Sequence, residues 1–374
     1  MRVNSWQYRL FVAADHTNSV YVVGVSESKD MRMIETINVS MTARQPLGMT
    51  PSSLALNPDQ SRLYVVCSDA NTIAVVDVED VASAVLGFIP TGWYPTAVRA
   101  MDDGKLVVLN GRGVRSFPNP QGPSPDRRAA PSHIGETPVI AQYVGRLQTG
   151  TASIIDPFTQ EQLESYTDSV RRNSPYRDEL LDQVQIPSGN PVPSKPGDSS
   201  PIQHVIYLVK ENRTYDQVLG DLGRGNGDPS LTLFDAKSAP NHHKLALEFV
   251  LFDNFYVNAD VSADGHNWST SAIAPDYVQK MWPNSYGGRR KFYDYEGGEP
   301  AAIPHAGYIW TNAASAGISM RNYGWWATNG PVTAAGDQIA ALRDPILAKV
   351  TNRSFVPSTW TTWTSSARKF SWMT

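Results

Sequence analysis

RLYVVCSDANTIAVVDV, residues 62–78, decides how the first third of this chain is read. Two apolar runs rich in β-branched residues flank the polar turn Ser-Asp-Ala-Asn, the pattern of two short strands joined by a tight connection. RLFVAADHTNSVYVVGV, residues 9–25, matches it position for position. The flanking pieces recur as well: PSSLALNPDQ at 51–60 and PTAVRAMDDG at 95–104 stand 44 residues apart, and each leads into another strand of the RLYVV or KLVVL kind. Short strands, polar turns and a period of roughly 40–50 residues are the signature of β-propeller blades. The plainer alternative is a β-sandwich with accidental internal similarity. Propellers typically use about four to eight blades. Only about two and a half are countable before Gly113, so the expectation is an incomplete all-β propeller with blades missing upstream.

Residues 116–135, SFPNPQGPSPDRRAAPSHIG, are too rich in proline for a regular element and read as an excursion from the last blade. From 160 to 185 apolar residues return at helical spacing, Leu163, Tyr166 and Val170 and then Leu180, Leu181 and Val184, with Pro175 dividing the run. Residues 186–201 hold five prolines in sixteen positions, the composition of a stiff, extended linker. The expected organisation is therefore blades with a helical tail over 1–185, a linker over 186–201 and a second domain over 202–374.

That second domain opens with HVIYLVKENRTYD, residues 204–216, answered by LFDNFYVNADVSADGHNWST at 251–270. The runs 205–209 and 251–257 suit strands buried on both faces of a parallel sheet between helices. Glu211 and Asn212 then fall just beyond the carboxyl end of the first strand, where ligands gather in open α/β sheets. Ser262 follows the second strand and starts a helix-compatible run carrying Asp264, His266 and Asn267. A serine at a helix N-terminus sits among backbone N–H groups that favour an alkoxide and an incoming phosphate. Asp264, in the first turn, reads more readily as a cap than as a catalytic group.

At these residues the sequence resembles the phosphoesterase branch of the alkaline phosphatase superfamily, with its phospholipase C-like and acid phosphatase-like enzymes. The run LYVVCSDANTIAVVD is similar to the YVTN-type propeller. The ENR[ST][YF]D motif is matched by Glu211, Asn212, Arg213, Thr214, Tyr215 and Asp216, and SADGH is similar to the superfamily's nucleophile turn. The resemblance implies a multidomain chain in which propeller blades precede an α/β alkaline phosphatase-like domain. It implies hydrolysis of phosphate esters through a covalent phosphoserine at Ser262, with divalent metal ions (Zn, Mn or Ca) held by Glu211, Asn212 and Ser262. His266 and Asn267 are the further catalytic candidates, Asn267 or the N–H groups of Ala263 and Asp264 stabilising the equatorial oxygens. Family members are mostly exported from bacteria, which implies a periplasmic or extracellular site, although no signal peptide is visible at the N-terminus. The family completes its metal site with later Asp and His residues, whereas here no histidine follows His305 and no acid follows Asp344. The chain is thus expected to be a fragment with an incomplete site, binding metal weakly. The alternative is a non-catalytic binding protein whose propeller loops meet a protein partner beside a degenerate second domain.

Composition narrows the rest. The 374 residues carry a net charge of −4, with 41% hydrophobic and 18% charged residues, so nothing calls for nucleic acid. No run of apolar residues is long enough for a transmembrane helix. The single cysteine, Cys67, excludes an internal disulfide and reads as a small core residue. His242 and His243 are adjacent, so on a helix they diverge by about 100° and are expected on the solvated surface rather than on one ion. His305 has no acidic neighbour at ligand spacing. Tyr323, Trp325 and Trp326 are expected to pack against a sheet rather than to wall a cleft.

Overall fold

A computed structural model of the chain describes residues 8–114, 148–179, 186–193, 197–210, 213–286, 297–332 and 338–352. Two compact units emerge, Met1–Asp182 with Ser269–Thr374, and Gln183–Trp268.

The first unit begins with three antiparallel meanders. The first is β1 (Tyr8–Ala14), β2 (Ser19–Val25) and β3 (Met31–Asn38), and the second is β4 (Pro51–Leu56), β5 (Arg62–Cys67), β6 (Thr72–Asp77) and β7 (Ala84–Pro90). The third is β8 (Pro95–Ala100), β9 (Leu106–Asn110) and β10 (Thr151–Ile155). Asn18 and Asn71, equivalent in the sequence repeat, both turn the chain in the left-handed region, φ 51° and 52°. Asparagine tolerates that conformation better than most residues. Each also ties its meander to the next. Asn18 Oδ1 accepts from the N–H of Gly48 and Met49 just before β4, and Asn71 Oδ1 accepts from the N–H of Tyr94 just before β8.

The period-2 alternation of β5 and β6 is buried on both faces. Leu63, Val65, Cys67, Ala74 and Val76 pack with Val20, Val22 and Ile37 of the first meander. Tyr64, Val66, Ile73 and Val75 pack with Val98, Leu106 and Val108 of the third. The four-stranded sheet is thus the middle layer of a face-to-face stack. Each fully buried valine or leucine stabilises it by about 1.5–3 kcal/mol over an exposed one. Cys67 is a core residue, and burial pushes its thiol up to about 12.

Helix α1 (Gln160–Asn173) covers the edge strand β7. It starts with a Thr159/Gln162 capping box and stops at Ser174, whose extended backbone precedes Pro175. Leu163 and Val170 enter the two cores, and Thr167 Oγ1 accepts from Phe88 N–H at 2.8 Å while donating to the Leu163 carbonyl. That occupies an edge N–H which would otherwise invite another strand.

Later in the same unit, Trp326 packs edge-on to Tyr308 and Trp310, and Trp310 Nε1 donates to Asp344 at 2.9 Å. Among the described residues the aromatic run packs on other aromatics and the helix Pro345–Val350, not on a sheet, while Tyr323 stays exposed.

The Gln183–Trp268 unit departs from expectation. Residues 205–209 and 251–257 form no strand, and Val205, Ile206 and Leu208 are 83%, 93% and 81% exposed. An apolar run becomes a buried parallel strand only when neighbours fill both its hydrogen-bonding edges, and among the described residues none pairs with either run. Among the described residues its regular elements are short helices, Tyr215–Leu219, the 3-10 turn Pro229–Leu231, Pro240–Glu248 and the start of Ser262–Ser271. His243 also departs from the surface placement. It is buried, with Nε2 2.8 Å from Asp221 Oδ1 and Nδ1 3.0 Å from the Ala239 carbonyl, while His242 meets Lys210 at 2.9 Å.

Candidate functional site

Glu211 and Asn212 lie outside the described residues. The site is therefore built from the helix Ser262–Ser271. Its first helical hydrogen bond runs from Gly265 N–H to the Val261 carbonyl, so the N–H groups of Ser262, Ala263 and Asp264 precede the ladder. Asp264 fixes this end of the helix. It is fully buried, and its two carboxylate oxygens accept from the backbone N–H of Asp260 and Val261 at 3.1 and 3.0 Å. Burial raises its pKa, and those two backbone bonds pull the other way. The cap reading of Asp264 thus describes its contacts, except that the side chain reaches back to the turn before the helix.

Helical geometry sorts the remaining candidates. Ala263, Asp264, Asn267 and Thr270 form the buried face, and Ser262, Gly265, His266 and Ser269 the open one. Ser262 is exposed at the first position, with half-buried His266 one turn on and on its side. Asn267 is fully buried on the other face and does not share the surface of Ser262. Of the five predicted residues, the structure brings two together.

A second polar cluster, unpredicted from sequence, sits where the meander turns meet the helix Asp276–Tyr286. Half-buried Asp69 accepts from Thr50 Oγ1 at 2.6 Å and from Gln279 Nε2 at 3.3 Å. The Tyr94 hydroxyl donates to Asp276, the Arg112 guanidinium lies 4.8 Å from the Tyr94 ring, and Asp15 accepts from the Asp276 N–H. Burial raises the pKa of both Asp69 and Tyr94. Its hydrogen-bonded partners lie up to 261 residues apart in the chain. At the opposite ends of the strands a cleft of about 460 Å³ opens between the 57–62 and 100–104 turns, lined by Asp59, Arg62, Tyr64, Asp102 and Phe158.

Among the described residues no three His, Cys, Asp or Glu side chains gather as a metal site, and no helix is long and apolar enough to cross a membrane. No family model and no curated protein matches the chain. Among solved structures it is similar to hydrazine synthase from Kuenenia stuttgartiensis, at 21% identity and a TM-score of 0.23, over 28% of this chain and 26% of that one. It is also similar to a protein from Lactobacillus plantarum, at 22% identity and a TM-score of 0.23, over 28% and 32% of the two chains. A functionally unknown protein from Desulfotomaculum acetoxidans gives 16% identity and a TM-score of 0.22, over 26% and 30%. The chain spans about a quarter to a third of the length of the solved structures it matches.

Proposed function

We propose that this chain carries the nucleophile of a metal-dependent phosphoesterase, with the stacked meanders as a β-propeller accessory domain. The carrying observation is Ser262, exposed at the start of a ten-residue helix with His266 on the same face. The resemblance of ENRTYD and SADGH to the phosphoesterases supplies the reaction class. In that reaction Ser262 Oγ bonds to the phosphorus of a phosphate ester and the bond to the departing alcohol breaks. Water then hydrolyses the phosphoserine. The N–H groups of Ser262, Ala263 and Asp264 favour the equatorial phosphoryl oxygens, and His266 is the group that holds a proton beside the hydroxyl. The divalent ion that the resemblance implies has no ligand cluster among the described residues, where Ser262 is the one proposed ligand of three, so no step is written through it. The propeller reading is supported over a two-layer sandwich by the middle meander, buried on both faces with β4 beside both β1 and β8.

The test is hydrolysis of a nitrophenyl phosphate with Zn, Mn or Ca added, comparing the chain with Ser262→Ala. Turnover that depends on Ser262 supports the reading, and equal turnover by both proteins removes the nucleophile assignment. One observation favours the second reading, a non-catalytic protein that binds a partner through its meander loops: the exposure of residues 205–208, which leaves Glu211 without the expected strand before it. That reading predicts no hydrolysis under any of the three metals.

A further inference from the structure

The repeat fixes what each sheet face packs against. Leu63 and Val65 of the second meander face the first, while Tyr64, Val66 and Val75 face the third. Aligning RLYVVC with RLFVAA makes Leu10 and Val12 the counterparts of Leu63 and Val65. They are 49% and 40% exposed, and their cross-strand neighbours Val23 and Met33 extend the same apolar face. At the other end of the stack Val107 and Leu109 correspond to Tyr64 and Val66, and Ile154 corresponds to Val75. Leu109 and Ile154 are 51% and 71% exposed. The open face of the first meander therefore matches the face that the second buries against the first. The open face of the third matches the face that the second buries against the third. Each open face is the partner that the repeat prescribes for the other.

We propose that these two faces are the halves of one self-complementary interface, and that a second copy of this chain occupies them, first meander on third and third on first, in a closed two-fold dimer. Heterologous faces of this kind give rings when the rotation closes. Three strands of this length make a face of roughly 300 Å², so two-fold closure covers four faces, about 1,200 Å², the lower end of stable interfaces, and one open-ended contact covers half of that. The two-fold is therefore favoured over a filament. The proposal rests on the meander repeat alone and stands or falls separately from any role of Ser262.

The test is the mass in solution of the full chain, 41.1 kDa per copy, by sedimentation at about 20 µM. A dimer is expected. Leu10→Glu alone and Ile154→Lys alone should each raise the dissociation constant more than about 100-fold, because each puts an unpaired charge in an apolar contact. Leu63 and Val22, the counterparts of Leu10 and Ile154, share one core, so the two variants mixed should set glutamate near lysine at one contact and leave the other native. The mixture should regain the dimer. Val81→Glu, exposed in the β6–β7 turn, should leave it intact, and unchanged circular dichroism would show that all variants are folded. A wild-type monomer would overturn the proposal. A dimer that survives Leu10→Glu, or a mixture that stays monomeric, would overturn it equally.

Discussion

The Tyr94 hydroxyl donates to the Asp276 carboxylate at 3.0 Å across 182 residues of sequence, joining the loop before β8 to the helix Asp276–Tyr286. Burial, then the nearby Asp276 and Asp69 charges, hold the Tyr94 pKa far above its ordinary value, so the hydroxyl remains a donor at neutral pH. Tyr94→Phe keeps the ring and removes the bond. It should lower unfolding stability in urea by about 1–2 kcal/mol. Unchanged stability would mean that the bond does not hold in solution.

Asp69 gives a prediction in pH. Its folded pKa is raised, first by burial, against the bonds from Thr50 and Gln279. A raised carboxyl contributes stability below its ordinary value of 3.8 and loses it as pH rises through the folded pKa. Asp69→Asn keeps the shape and cannot ionise. The variant should therefore gain on the wild type as pH rises from 4 towards neutrality, read as the difference in thermal midpoints. A constant difference would contradict the assignment.

Gly87 lies where α1 crosses β7. A Cβ there would stand 2.5 Å from Thr167 Oγ1 and 2.9 Å from Leu163 Cγ, both pinned by the core. Gly87→Ala should cost about 1–3 kcal/mol in chemical denaturation through displacement of α1. Neutral behaviour would show that the helix sits further from the strand.

The meanders were legible because their signal is local and repeated: alternation, an Asn-bearing turn and the same strand again. Pro175 likewise marked the end of α1. Residues 205–209 and 251–257 carried an equally clear apolar signal and yet form no strand, because a run of this kind records what it could bury and not whether neighbours exist. At the candidate site, the spacing of Ser262 and His266 was readable as one helix face. The burial of Asn267 was not, since the side on which a helix packs depends on residues elsewhere. His243 misled for the same reason: its partner Asp221 is 22 residues away.

His243 and Asp221 shift each other's titration. Burial works to lower the His243 pKa, but the Asp221 bond and the Ala239 carbonyl outweigh it and the pKa is raised; Asp221, bonded to His243, is lowered. The pair therefore stabilises between the ordinary values of 3.8 and 6.5. That stability is lost as pH rises through the folded His243 pKa or falls through that of Asp221. In Asp221→Asn burial is left as the main influence, so the His243 ring, followed by NMR, should titrate below the wild-type position. An unmoved titration would show that the pair is not formed.

The central claim is that Ser262 accepts a phosphoryl group. The direct measurement is a single-turnover incubation with an activated aryl phosphate and a divalent ion, quenched in acid and read by intact and peptide mass. One added phosphoryl group is expected on the peptide containing Ser262, absent from Ser262→Ala and retained in Ser269→Ala. Release of the aryl alcohol with no phosphoserine at Ser262, or the same label in Ser262→Ala, would contradict it.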